Sequence, residues 1–303
     1  ENTSRDNEIQ ENNKNENANN DNNNNINKNN GSLSKDELFE ALDNLSSEDQ
    51  SEKLNTIILI HEILCGKYNE NKVLLISNID YIINIFKTIT HQLFYTKDLK
   101  TIPIKFAKYL AIVLCKLASN KELISNLSYE VLLQLSRELL GYLLINGLDK
   151  IGDNQEGNII FKSINSTMLR ILENCDTTSV IMSLLELIKE YQIKEDKNLT
   201  SLAIKCLLKT THNLSNQIDN IKIDKILLQI HLLMLSLQKN NPDLAIKTQI
   251  NSMIVKTLKN IINDLVGLKK ETILEEYSKS VKNHILNDKY ILGCIKSSLE
   301  NIK

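Results

Sequence analysis

One spacing recurs along this chain and decides what it can fold into. Phe106, Tyr109, Leu110, Val113, Leu114 and Leu117 fall at i, i+3, i+4, i+7, i+8 and i+11, the apolar stripe of an amphipathic α-helix. The stripe returns in Ile223, Ile226, Leu227, Ile230, Leu233, Met234 and Leu237, and again in Ile254, Val255, Leu258, Ile261, Ile262 and Leu265. No run alternates apolar and polar residues between hairpin turns, so the expected class is all-α. The two prolines, Pro103 and Pro242, stand where a helix begins or a loop ends.

The breaks between stripes place helices near residues 34–45, 49–66, 71–95, 103–119, 127–147, 156–174, 177–191, 197–213, 221–238, 244–267 and 271–287. Eleven such helices are too many to share one bundle centre. Helix pairs spaced by about 40 to 50 residues match the HEAT and armadillo range, in which each pair buries its stripe against the next. The expectation is an α-solenoid of about five to six HEAT-like helix pairs over 32–303. In such a stack alternate turns share one long edge, so polar loops such as YTKDLKTIP, DKIGDNQEGN and QIKEDKN would form a common binding ridge.

Residues 1–31 read differently. Up to Asn30 the only large apolar side chains are Ile9 and Ile26, and DNNNNINKNN has nothing to bury. No core can offset the entropy of ordering such a segment, so a disordered asparagine-rich linker is expected. The chain opens on Glu1, as a fragment of a longer protein would. A formal charge of −2 gives no basic field for nucleic acid, and lysines and acids alternate along the body. No apolar run reaches the 18 or so residues of a membrane span and no signal peptide is visible, so an intracellular protein without a membrane partner is expected. Cys65, Cys115, Cys175, Cys206 and Cys294 have no paired spacing and read as reduced packing residues. The sequon at Asn165 is what an asparagine-rich chain produces by chance.

Catalytic patterns fail one by one. His61 and Glu62 open HEILC, but the second histidine of a zinc protease helix is missing and Cys65 stands in its place. Gly147, Gly152 and Gly157 recur every five residues without the Gly-Lys-Ser/Thr of a phosphate loop, and read as flexible loop glycines. His231 lies among core leucines and reads as a packing residue. Neither a catalytic constellation nor a cofactor is expected.

Three blocks carry a family resemblance. SINSTMLRILENCDTTSVIMSLLELI, LAIKCLLKTTHNLSNQIDNIKIDKILLQIHLLM and KTLKNIINDLVGLK occur in this order. Together they resemble the C-terminal TOG-like domain of the ch-TOG and Mini spindles family of microtubule polymerases, and a weaker likeness extends over residues 33 to 287. The resemblance implies six HEAT-like repeats and a non-enzymatic role in microtubule and spindle organisation. It also implies tubulin or an adaptor protein as partner, and a cytoplasmic, cytoskeletal location at spindle poles and centrosomes. Asp176 and Thr178 would cap the helix that follows them.

Tubulin-binding TOG domains place a tryptophan in their first loop and basic residues in the later ones. This chain has no tryptophan, and its first loop, LSSED, is acidic. Lys97, Lys100, Lys150, Lys194, Lys197 and Lys239 remain as the candidate partner-binding edge. The alternative is a generic HEAT scaffold for a phosphatase, kinase or transport complex.

Overall fold

The computed structural model describes residues 33–67, 71–95, 98–152, 155–212, 214–216, 220–240, 249–284 and 289–302. The asparagine-rich segment expected to be disordered lies outside them. Along the chain come α1 (Lys35–Asp43), α2 (Gln50–Leu64), α3 (Lys72–Ser77), α4 (Ile79–Phe94), α5 (Ile104–Ser119), α6 (Lys121–Ile124) and α7 (Tyr129–Tyr142). Then follow α8 (Gln155–Asn174), α9 (Thr177–Ile193), α10 (Lys197–Thr211), α11 (Ile223–Asn240), α12 (Gln249–Lys269), α13 (Ile273–His284) and α14 (Lys289–Glu300). No strand occurs among the described residues.

The pairing of helices follows the expected solenoid. Helices α4, α7, α9, α11 and α13 pack each on the next, and so do α2, α5, α8, α10, α12 and α14. With α1 joined to α4 through Tyr81 Oη, which donates to Asp43 Oδ1 at 3.2 Å, the chain makes six helix pairs in two layers. We call α1, α4, α7, α9, α11 and α13 the first layer and their partners the second.

Long-range polar contacts repeat the interval: Ser128 N to Asp80 Oδ1 spans 48 residues, Arg137 to Glu190 53, and Lys222 N to Thr178 Oγ1 44. Each reaches only the neighbouring pair, as a one-dimensional stack requires.

The apolar stripes fill the space between the layers. The residues of the Ile223–Leu237 stripe are all buried. In α5 the buried arc is shifted: Ala107, Ala111 and Ala118 are inside, while Tyr109 is 36% exposed. Tyr109 lies at the rim of the stripe, where its ring can rest on the surface and its hydroxyl can stay in water.

Helix ends are set by short polar side chains. Ser34 and Glu37 form a reciprocal capping box on α1, and Asp49, Ser128 and Asp196 accept from backbone N–H groups at the starts of α2, α7 and α10. Asp176 caps α9 through Ser179 N at 2.8 Å. Thr178 does not cap; it is buried and accepts from Lys222 N at 3.1 Å, tying α9 to the connection before α11. Glu195, at φ 57°, stops α9, and the next residue caps α10, so this pair turns over in three residues.

Four elements differ from the sequence expectation. The single helix expected over 71–95 is broken at Asn78, whose amide donates to Leu74 O at 2.8 Å while its backbone leaves the helical region. An asparagine side chain competes for nearby backbone groups in this way. The one-turn α6, capped by Asn120, is too short to show a period. Lys289–Glu300, beyond the eleven expected helices, form α14 and pack on α12, completing the sixth pair among the described residues.

Gly157 is the fourth difference: it is not a loop glycine but a buried residue in the first turn of α8. A Cβ there would come within 2.7 Å of the Ile151 backbone and 2.8 Å of Asp149 O. Gly147 and Gly152 do lie in the α7–α8 connection, at φ 86° and 71°.

Candidate functional site

Each pair is a hairpin, so the connections from first-layer to second-layer helices share one edge of the stack. Lys100 lies in the α4–α5 connection, Lys150 in α7–α8, and Lys194 in α9–α10, with Lys197 opening α10. All four are exposed. Lys97 lies outside the described residues, and Lys239 belongs to the last turn of α11. Of the six candidates, Lys100, Lys150 and Lys194 therefore fall on the same kind of connection.

Their electrostatics are weaker than the lysines alone imply. Asp98, Asp149, Glu195 and Asp196 stand in the same three connections. Lys194 Nζ is engaged by Glu190 Oε1 at 2.7 Å. The α1–α2 connection adds Glu48 and Asp49, both exposed, and no cation. Alternating charges this close cancel beyond a Debye length of about 8 Å.

The first layer carries a ladder of side-chain bonds. Lys87 Nζ donates to Gln134 Oε1, and His91 Nδ1 lies 2.9 Å from Glu138 Oε2, joining α4 to α7. Arg137 donates twice to Glu190 Oε2, from Nε at 3.1 Å and Nη2 at 2.8 Å, joining α7 to α9. Gln229 Nε2 donates to Glu186 Oε2, at 2.5 Å, joining α11 to α9. Burial tends to raise the Glu190 carboxyl, but the bonds from Lys194 and Arg137 outweigh it and hold it below the usual carboxylate range.

Beneath the ladder sits an aromatic cluster: Tyr142 meets Phe94 edge-on at 5.3 Å, and its hydroxyl donates to Thr90 Oγ1 at 3.3 Å.

The sites that failed as catalytic patterns are resolved individually. His61 is half-buried and lies 3.8 Å from Cys65 Sγ through Nδ1. Burial and the neighbouring Lys116 charge hold its imidazole below the ordinary range, against the pull of Glu62. Cys65 is not a packing residue. It is exposed at the end of α2, where the Lys116 ammonium donates to its sulfur at 2.9 Å. Cys175 and Cys206 are buried, and burial pushes their thiols up to about 12 and about 11. His231 is buried in α11. No group of three or more His, Cys, Asp or Glu side chains placed to hold a metal occurs among the described residues. No described helix is long and apolar enough to cross a membrane.

A feature not singled out from the sequence is the division of charge between layers. Helices α5 and α10 contain no acidic residue, and α12 contains only Asp264. First-layer helices hold Asp36, Glu37, Glu40 and Asp43 in α1, Glu130 and Glu138 in α7, Glu186 and Glu190 in α9, and Glu275 and Glu276 in α13. The signal was present in the sequence but appears only when charges are sorted by alternate helices. The chain's net charge conceals it.

No protein-family model matches the chain, and no solved structure matches it. Curated relatives do. The chain is 26% identical over 180 residues to Protein MOR1 of Arabidopsis thaliana, covering 55% of this chain and 9% of that protein. It is 24% identical over 231 residues to Protein MOR1 of Oryza sativa subsp. japonica, covering 71% and 11%. It is 24% identical over 149 residues to Protein mini spindles of Drosophila melanogaster, covering 48% and 7%. The chain thus spans about a tenth of the length of these relatives. Plant and fly relatives agree with the likeness read from the three sequence blocks, and the chain is similar to the ch-TOG and Mini spindles family.

Proposed function

We propose that this chain is a non-enzymatic microtubule-associated module that serves spindle organisation by binding tubulin or an adaptor protein. The observation that carries the reading is the similarity to MOR1 and mini spindles proteins over 48% to 71% of a chain that stacks in helix pairs. As the resemblance implies, the module acts in the cytoplasm on microtubules, spindle poles and centrosomes.

The adaptor is favoured over direct tubulin capture. With no tryptophan in the chain, the tryptophan anchor that tubulin-binding TOG domains carry in their first loop is missing. The loop lysines meet acidic neighbours, so their pull on an acidic partner is modest and sensitive to salt.

Two measurements test this: co-sedimentation with microtubules, and gel filtration with unpolymerised tubulin. The expected result is weak binding that fades as salt rises and is lost in a Lys97→Glu, Lys150→Glu, Lys194→Glu variant. Tight binding to free tubulin in high salt would exclude the adaptor preference and the loop edge together.

A further inference from the structure

The outer face of the second layer carries lysines with no carboxylate beside them. Lys105, Lys162, Lys205, Lys256 and Lys259 are all exposed, and none has a carboxylate within 4.0 Å among the described residues. The two carboxylates of α8 are already engaged: Glu156 accepts from Lys108 at 2.9 Å, and Glu173 accepts from Arg170 at 3.0 Å. Burial raises the Asp264 carboxyl of α12, and His212 acts against it.

A contact between second-layer helices fixes the relative level of two of these lysines. Asn174 Nδ2 of α8 donates to Ala118 O of α5 at 2.9 Å. Counting back along both helices at 1.5 Å per residue brings Lys162 level with the first turn of α5, where Lys105 stands. Lys205 and Lys256 stand on α10 and α12, which also pack on each other. Adjacent helix axes lie roughly 8–10 Å apart, so Lys105 and Lys162 form a close set on neighbouring helices.

Apolar side chains lie among them. Ile112 and Leu169 are half-buried on the outer arcs of α5 and α8, and Leu202 precedes Lys205 by one turn.

We propose that this face, centred on Lys105, Lys162, Lys205 and Lys256, is a docking surface for an acidic polypeptide segment that carries interspersed apolar side chains. Carboxylates of such a segment would meet the lysines, and its apolar side chains would cover Ile112, Leu169 and Leu202. Nucleic acid fits less well. Tyr109 is the only exposed aromatic residue among the described part of this face, which leaves no platform for successive bases. The face's arginine, Arg170, is engaged by Glu173, whereas paired phosphate recognition favours free guanidinium forks. The proposal does not depend on the microtubule reading.

The test is fluorescence anisotropy with two labelled probes, a Glu-Glu-Leu repeat peptide of about 20 residues and a single-stranded RNA of about 20 nucleotides. It uses the full chain and two triple variants, with circular dichroism to confirm that each is folded. The peptide is expected to bind in low salt and to weaken as salt rises. Lys162→Glu, Lys205→Glu, Lys256→Glu is expected to weaken it about tenfold or more, while Lys100→Glu, Lys150→Glu, Lys197→Glu changes it less than about twofold. If the face variant melts early, the three Lys→Gln changes replace it, with a smaller loss expected. The proposal is overturned if the full chain ignores the peptide, if the face variant binds it unchanged, if the loop variant loses as much, or if RNA binds more tightly than peptide. Because neither probe contains tubulin, failure here leaves the microtubule reading standing, and the converse also holds.

Discussion

The two layers of this stack are both tied to their neighbours by side-chain bonds, and they differ in the charge left over. In the first layer, α4, α7, α9 and α11 are cross-linked by side-chain bonds that involve Glu138, Glu186 and Glu190, all less than one-third exposed. The second layer is cross-linked as well, by Lys108 to Glu156 between α5 and α8 at 2.9 Å, by Lys116 to Cys65 between α5 and α2, by Lys209 to Glu173 between α10 and α8 at 4.0 Å, and by Asn174 Nδ2 to Ala118 O. Both layers therefore use charges to hold repeats together. The second in addition leaves Lys105, Lys162, Lys205, Lys256 and Lys259 exposed with no carboxylate within 4.0 Å among the described residues, which is what a surface open to a partner needs.

The largest effect is expected from Gly157→Ala in the second layer. Alanine is the better helix former by about 1 kcal/mol, so at an open helical site the change would stabilise. Here the added carbon meets backbone at 2.7 Å, and backbone cannot swing aside like a side-chain tip. The expected result is a loss of about 1–3 kcal/mol in a chemical denaturation series. A gain in stability would show that the α7–α8 connection yields and that close backbone approach does not hold this junction.

How much of this could be read from the sequence depends on how far each signal travels. The stripes of α5, α11 and α12 were legible because burial repeats every turn, and the interval between pairs was legible because the repeat is about 50 residues long. The break at Asn78 was not, since it rests on one side-chain bond to Leu74 O inside an otherwise continuous stripe. Gly157 was misread because a glycine's role depends on what approaches it, and its neighbours, Asp149 and Ile151, belong to a turn whose path no periodicity encodes. The lysines of the loop edge could be named, but their acidic company mattered more than their count. The charge division between layers needed the layer assignment first.

The first-layer ladder predicts an acid-sensitive junction. Glu190 has a folded-state pKa below its unfolded value, so its pairing contributes stability that is fully present above the ordinary glutamate range near about 4.3. That contribution is lost as pH falls through the depressed folded value. Glu190→Gln is expected to cost about 1 kcal/mol at neutral pH. Thermal melts of the wild type and the variant should converge as pH falls through that depressed value. A difference independent of pH would mean that packing, not charge, sets the value of this contact.

A smaller effect is expected inside the first layer, at Ser183 of α9. It is fully buried, and its hydroxyl has no hydrogen-bond partner among the described residues. A buried hydroxyl without a partner carries its desolvation penalty uncompensated. Ser183→Ala removes that penalty and suits a helix, so a gain of up to about 1 kcal/mol is expected in the same denaturation series. A clear loss would show that the hydroxyl is satisfied in solution.

The smallest effect should come from the second layer, and its sign matters more than its size. Two exposed cations about 10 Å apart in water repel by about 0.4 kcal/mol before salt screening. Lys205 is exposed on α10, which packs on α12, and has no carboxylate within 4.0 Å among the described residues, so Lys205→Gln removes repulsion from neighbouring cations without breaking a pair. The expected outcome is a melting temperature unchanged or slightly raised, with any rise largest at low ionic strength. Glu190→Gln in the first layer should move the other way under the same conditions, because it removes an attraction. If Lys205→Gln instead lost about 1 kcal/mol or more, the lysine would be holding the stack together. The contrast between the layers in the charge left over would then fail at a residue on which the proposed docking surface is centred.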